Sequence, residues 1–272
     1  MVARTTDTII RPRYTDHHED PGMYGLLGER VPIEVIQHPA IEYVSMAVRY
    51  ILRGEGAAFL GSNIPLRTNR RNRREHEAPD YYLARGVDVA SIRGETAYNL
   101  WEVGRPPEWA LEVASPSTYE RDLYEKPDRY AEIGIGEYWM FDPTGGDLYG
   151  EALIGFELMD GGYVPVETGR NEHGLLSGYS RALGVRLCLV EESQREGLLE
   201  VQPDLGLLFD MDFNPALMLF QEVESGLYIL DMAGLRAERD FERARAERAE
   251  DALAEERARR RELEERLRRL KE

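Results

Sequence analysis

Residues 109–143 read WALEVASPSTYERDLYEKPDRYAEIGIGEYWMFDP. The stretch opens with alternation: Trp109, Leu111 and Val113 share one face of an extended segment, and Ala110, Glu112 and Ala114 share the other. A carboxylate flanked by two small side chains leaves room for a ligand. Ser117 and Glu120 stand at capping-box spacing, which predicts a helix starting there. Glu137 to Phe141 is a second strand, closed by the turn Asp142-Pro143-Thr144-Gly145-Gly146.

Working outward, Pro39 suits the first position of a helix. Behind it Ile41, Val44, Val48, Ile51 and Leu52 recur on one face until Gly54 and Gly56. A short strand over Ala57 to Leu60 precedes the basic run Arg67 to Arg74, and Asp80 to Leu83 is again extended. Downstream, Asp160-Gly161-Gly162 between Phe156–Met159 and Tyr163–Val166 signals a hairpin. Helix, strands, helix, strand and hairpin in this order predict an α/β domain, a mixed central sheet flanked by helices.

Four parts are expected: a polar arm over 1–21, the α/β domain over 22–190, a β-rich extension over 191–234 and a charged helical tail over 235–272. Pro203-Asp204, Asn214-Pro215 and Glu224-Ser225-Gly226 punctuate the extension. In the tail Ala246, Ala249, Leu253, Leu263, Leu267 and Leu270 fall on 3/4 spacing, interrupted by Glu256 and Arg260, which gives a modest coiled-coil tendency. Such a helix is expected to pair with its own copy in a homodimer or with a protein partner.

The 272 residues carry a formal charge of −17, which excludes a protein that coats nucleic acid nonspecifically. The tail from Leu235 is nearly balanced, with 13 basic and 12 acidic residues, so the rest holds −18. In that acidic body Arg67, Arg70, Arg71, Arg73 and Arg74 stand out, just ahead of Asp80. They read as a loop contacting phosphates, or as a solvated loop offset by Glu75 and Glu77. The single cysteine, Cys188, lies in an apolar run and reads as a buried, inert thiol in a reducing setting. No apolar window approaches a membrane span or a signal peptide, so a cytoplasmic protein without membrane contact is expected.

Asp80, Glu112 and Lys126 form a chemically complete set. Two carboxylates at neighbouring strand ends can share a hard divalent cation, and a lysine can hold a water or offset transition-state charge. Taken alone, each residue has a plainer reading: Pro-Asp is a common turn, a strand acid is often only solvated, and Lys126 could sit in solvent at a helix end. Pro127 disfavours helical geometry at Lys126, so either the helix kinks there or a new one starts.

The sequence around these residues is more specific. Pro79-Asp80, Glu112-Val113-Ala114-Ser115-Pro116-Ser117-Thr118, Asp122, Lys126, Tyr130, Gly134, Glu137-Tyr138-Trp139 and Asp142-Pro143 occur in this order. The pattern resembles the large bacterial family of restriction-endonuclease-like proteins, a branch of the PD-(D/E)XK nuclease superfamily. The resemblance implies a restriction-endonuclease-like core. It makes Asp80 and Glu112 the carboxylates for Mg²⁺ or Mn²⁺, with the backbone carbonyl of Val113 as a further ligand. The lysine that the parent motif places two residues after the acid is Ala114 here; the family's displaced lysine corresponds to Lys126, with Asp122 four residues before it.

Glu42 could add an upstream acid to the metal or belong to a polar helix face with Ser45 and Arg49. His38 occupies a place where the family often has a histidine, or serves as a cap. Ser115 and Ser117 have no oriented histidine evident, and capping explains Ser117. The expected function is metal-dependent hydrolysis of phosphodiester bonds, with DNA as substrate. Its rivals are a catalytically silent scaffold binding nucleic acid or protein, a glycoside hydrolase using the acid pair, and an adaptor working through its tail.

Overall fold

The alternation that begins at Trp109 becomes the middle of a sheet. The computed structural model describes residues 23–24, 30–31, 33–88, 92, 96–210 and 214–231. Strands β1 (Met23–Tyr24) and β2 (Arg30–Val31) pair with each other ahead of helix α1 (Ile33–Ile51). Next come β3 (Ala58–Gly61), β4 (Leu66–Arg67), β5 (Tyr81–Arg85), β6 (Tyr98–Asn99) and β7 (Trp109–Val113). Helices α2 (Tyr119–Tyr124) and α3 (Lys126–Ile133) lead to β8 (Glu137–Phe141), β9 (Leu153–Met159) and β10 (Gly162–Pro165). Last are β11 (Thr168–Arg170), β12 (Leu176–Ser180), β13 (Val185–Glu191), helix α4 (Arg195–Val201) and β14 (Ala216–Glu222).

The central sheet has the order β10-β9-β8-β7-β5-β3. It is mixed, as expected: β7 and β8 run parallel, joined through α2 and α3, and the other neighbours are antiparallel. Strands β11 to β14 form a second, antiparallel sheet, and β4 pairs with β6. Asp160 and Gly161, both at positive φ (50° and 82°), make the tight β9–β10 turn; the second position favours glycine, which carries no Cβ.

Period two sorts the side chains of the central sheet onto two faces. Tyr82, Ala84, Ala110, Ala114, Tyr138 and Met140 cluster with Tyr130 and Ile133 of α3. On the opposite face Trp109 lies 6.4 Å from Tyr81 and 6.4 Å from Phe220 of β14. Phe220 in turn stacks on Tyr43 of α1 at 5.9 Å. The Tyr43 hydroxyl donates to the Ile229 carbonyl (3.2 Å) and accepts from the Phe220 N–H (2.9 Å), so it ties α1 to the place where the Ile229 N–H meets the Phe220 carbonyl at 2.8 Å. Glu137 adds a second link between the sheets. This buried acid accepts from Trp139 Nε1 (2.9 Å), Ser180 Oγ (2.5 Å) and the Ala182 N–H (2.8 Å).

Several boundaries differ from the sequence reading. Helix α1 begins at Ile33, so Pro39 lies inside it and costs one main-chain bond. Beyond Pro39, burial of Tyr43, Val44, Ala47 and Val48 holds the helix. Helix α2 begins at Tyr119 with Thr118, not Ser117, as its N-cap, because the Ser117 hydroxyl turns to Ser115 Oγ at 3.1 Å. The extension over 191–234 is not β-rich: among its described residues β14 is the one strand, and the rest includes α4 and short helical turns. Nor does β14 extend the central sheet. It pairs with β13, so a boundary at 190 would split a continuous ladder. The 1–21 arm and the 235–272 tail, with its coiled-coil seam, lie outside the described residues. Among the described residues no helix is long and apolar enough to cross a membrane.

Replacing Tyr43 by Phe keeps the ring stack but strips both hydrogen bonds from buried main chain. Chemical denaturation should show a loss of about 1–3 kcal/mol; an unchanged midpoint would show that the bridge contributes nothing.

Candidate active site

The register of β5 against β7, Tyr81 opposite Leu111 and Tyr82 opposite Ala110, continues one step to set Asp80 opposite Glu112. The Val113 N–H holds Asp80 there, donating to Oδ2 at 2.8 Å. Val113 thus enters the site through its amide. The space beside Glu112 that Ala110 and Ala114 leave open is filled from α3: the Tyr130 hydroxyl donates to Glu112 Oε1 at 2.5 Å, and Lys126 Nζ lies 2.9 Å from the same oxygen.

Lys126 reaches the acids because the break at Pro127 starts a new helix without losing the helical course. Glu125 keeps right-handed helical angles, and Pro127 falls in the first turn of α3, where a missing N–H costs little. Across this corner Glu125 N bonds Arg121 O at 3.0 Å and Arg129 N bonds Glu125 O at 3.2 Å. The pitch survives, and Lys126 Nζ pairs with Asp122 Oδ1, four residues earlier, at 2.6 Å. Asp122 is fully buried. Its Oδ2 accepts from the Tyr149 hydroxyl (2.7 Å) and Thr118 Oγ1 (3.2 Å), and its carbonyl accepts from Tyr138 (3.0 Å). Asp142 secures Tyr149 in turn, accepting its N–H at 3.0 Å.

Two buried carboxyl groups therefore meet one buried ammonium, with the half-buried Asp80 standing opposite Glu112. Burial pushes the Glu112 carboxyl up, to about 8; Lys126 opposes this, Asp80 and Asp122 add to it, and the Tyr130 hydrogen bond works against it. Burial likewise raises Asp80, against the Val113 N–H, Lys126 and a hydrogen bond with Glu112. For Lys126, burial acts downward, but Glu112 and Asp122 outweigh it and hold the ammonium above its ordinary value. Burial and the charge of Glu112 raise Tyr130 well above its ordinary value, so it stays a neutral donor.

This arrangement fits a hard divalent cation. Two carboxyls set opposite each other by the β5–β7 register, both raised by burial, gain a common counter-charge when a cation binds between them. Among the described residues no group of three or more His, Cys, Asp or Glu side chains forms a ligand cage. An ion here would rest on two carboxylates, with other oxygens filling its shell.

The sequence model of the Uma2 family, described as "Putative restriction endonuclease", matches residues 41–186, more than half of the chain. The chain belongs to the Uma2 family. It shares with that family a restriction-endonuclease-like, nuclease-type identity, and the matched span contains Asp80, Glu112, Asp122 and Lys126. A crystal structure from Anabaena variabilis ATCC 29413, described as a "putative nuclease belonging to DUF820", aligns at a TM-score of 0.35 and 14% identity, covering 54% of this chain and 77% of that one. No curated protein matches the chain.

The arginine run of this Uma2 chain forms a loop closed at its base by Leu66 N to Glu77 O (2.7 Å) and Glu77 N to Leu66 O (3.1 Å). Arg70, Arg71, Arg73 and Arg74 are exposed and Arg67 is half-buried in β4. Glu75 and Glu77 do not pair with them. Arg129 of α3 takes Glu75 (2.7 Å) and Glu77 (3.5 Å), and Arg121 of α2 takes Glu77 (3.5 Å). The loop is thus tied to the helices that carry Lys126, and among the described residues its own five arginines form no ion pair.

Of the remaining candidates, Glu42 lies on the exposed side of α1, and His38 is in α1 with its side chain outside the described ones. Ser115 is buried, its Oγ 2.7 Å from Thr118 Oγ1, so it supports the residue that braces Asp122. The roles of Tyr130 and Tyr149 escaped the sequence reading. Tyr130 follows Lys126 by one helical turn, a spacing that could have revealed it; Tyr149 lies in an irregular stretch with no such signal.

Raised carboxyl pKa values mean that the folded chain binds protons the unfolded chain has released. The stability this gives is present below the ordinary Glu value of 4.5 and is lost as pH rises through about 8. Metal-free protein should therefore become less stable across that window, and Glu112→Gln should flatten the trend. Equal slopes for both proteins in denaturant titrations between these pH values would contradict this electrostatic picture.

Proposed function

We propose that this chain is a divalent-metal-dependent endonuclease acting on DNA. What supports this most is a buried ammonium 2.9 Å from a buried strand carboxylate that stands opposite a second acid. Each acid gives one oxygen to protein donors: Asp80 Oδ2 to the Val113 N–H, and Glu112 Oε1 to Tyr130 and Lys126. Asp80 Oδ1 and Glu112 Oε2 are then the atoms for Mg²⁺ or Mn²⁺, with the Val113 carbonyl as a further candidate ligand. Such an ion would polarise a phosphoryl oxygen and lower the pKa of a water.

The chain's own residues supply the rest. Lys126, held protonated, offsets negative charge building on the phosphoryl group. Tyr130 fixes the Glu112 rotamer. The arginine loop, in a chain of net charge −17, provides local attraction for a polyanion and positions the strand through its phosphates. A silent scaffold would be favoured by a lysine turned away at the Lys126-Pro127 break, and the contact of Lys126 with Glu112 removes that support.

Purified protein should cleave DNA with Mg²⁺ or Mn²⁺, and Glu112→Ala should abolish cleavage. Lys126→Met should lower the rate by about 10² or more. No cleavage of single- or double-stranded DNA with either ion would overturn the assignment. Replacing Arg70, Arg71, Arg73 and Arg74 together by Ser should weaken DNA binding without changing thermal stability. The slope of log affinity against log salt should also become shallower, by about 0.9 for each phosphate that the loop no longer neutralises; an unaltered slope would remove the loop from the interface.

A further inference from the structure

We propose that Asp122 is the resting partner of Lys126, the carboxylate onto which the ammonium withdraws when a divalent cation takes Glu112. This rests on the reading of Asp80 and Glu112 as metal carboxylates. Lys126 is shared, 2.9 Å from Glu112 Oε1 and 2.6 Å from Asp122 Oδ1. It is a monovalent counter-charge to both of these acids. A divalent ion on Glu112 would repel an ammonium at that distance, and a buried charge cannot simply be released unpaired.

Asp122 is built to receive it. Its side chain is fully buried and held in place by Tyr149 and Thr118 on Oδ2, while Tyr138 anchors its main-chain carbonyl. Its Oδ1 has no other hydrogen-bond partner, so it is reserved for Lys126. The move is short, since Lys126 already touches both acids. The choice of cation is also suited to exchange. Of 34 basic residues in the chain only Lys126 and Lys271 are lysines. A guanidinium would lock both carboxylates with its rigid fork, whereas one ammonium on a flexible stem can pass from one acid to the other.

Mn²⁺ affinity, measured by calorimetry on the full chain, separates this role from simple loss of negative charge. Asp122→Asn should weaken Mn²⁺ binding about tenfold where Lys126 is present, because the ammonium then has only Glu112, and less than about threefold in a Lys126→Met background. Lys126→Met alone should tighten binding. Equal losses from Asp122→Asn in the two backgrounds would overturn the proposal. Unmodified protein that binds no Mn²⁺ would overturn the metal reading itself, and this inference with it. A second measurement needs no variant that must fold. Protein labelled with ¹³C at lysine Cε gives only two lysine signals, and that of Lys126 should shift on saturation with Mg²⁺. A Lys126 signal unmoved at saturation would show that the ammonium does not withdraw.

Discussion

Antiparallel pairing of β5 with β7 brings an acid at the start of one strand beside an acid in the middle of another. Because strand side chains alternate with period two, a slip of one residue would turn Glu112 onto the face of Trp109 and separate it from Asp80. Two features hold the register. The Val113 N–H bonds the Asp80 carboxylate, and Trp109, Tyr81 and Phe220 pack the opposite face. The packing that stabilises the fold therefore also fixes the chemistry.

A cluster of Glu112, Asp122 and Lys126 out of water, beside the half-buried Asp80, is costly, since each buried ion loses several kcal/mol of hydration. The chain offsets this with neutral donors. Tyr130, Tyr149 and Thr118 each give a hydroxyl to a carboxylate of the cluster, Tyr138 gives one to the Asp122 main-chain carbonyl, and burial keeps the phenols from ionising. The aromatic shell around the site thus serves as packing on one side of each ring and as solvation at its tip.

What the sequence disclosed and what it withheld follow the range of the interactions. Glu137–Phe141, the alternation at Glu112 and the Asp-Gly turn are local signals, and the structure places them with little change. Lys126 is ambiguous in sequence because Pro127 speaks only for local backbone preference, whereas the corner at Glu125 is held by bonds on both sides of it. The start of α1 is hidden too: Pro39 suits a first helical position, yet the helix already runs from Ile33. Tyr149 joins Asp122 across 27 residues, and β14 returns to β13 after a helical excursion, so neither carries a short-range pattern.

The division of the chain between two sheets bears on how much of it makes one folding unit. The Uma2 match ends at residue 186, the second residue of β13, while β14 and Ile229 lie well beyond it. Excision at those limits would deprive Tyr43 of both hydrogen-bond partners, leave β13 cut short without its neighbour and bare the Trp109 face to water. A fragment so cut would present a long apolar surface beside open strand edges, the combination that drives chains to aggregate. The family's sequence signature and the minimal autonomous domain are therefore different objects in this protein.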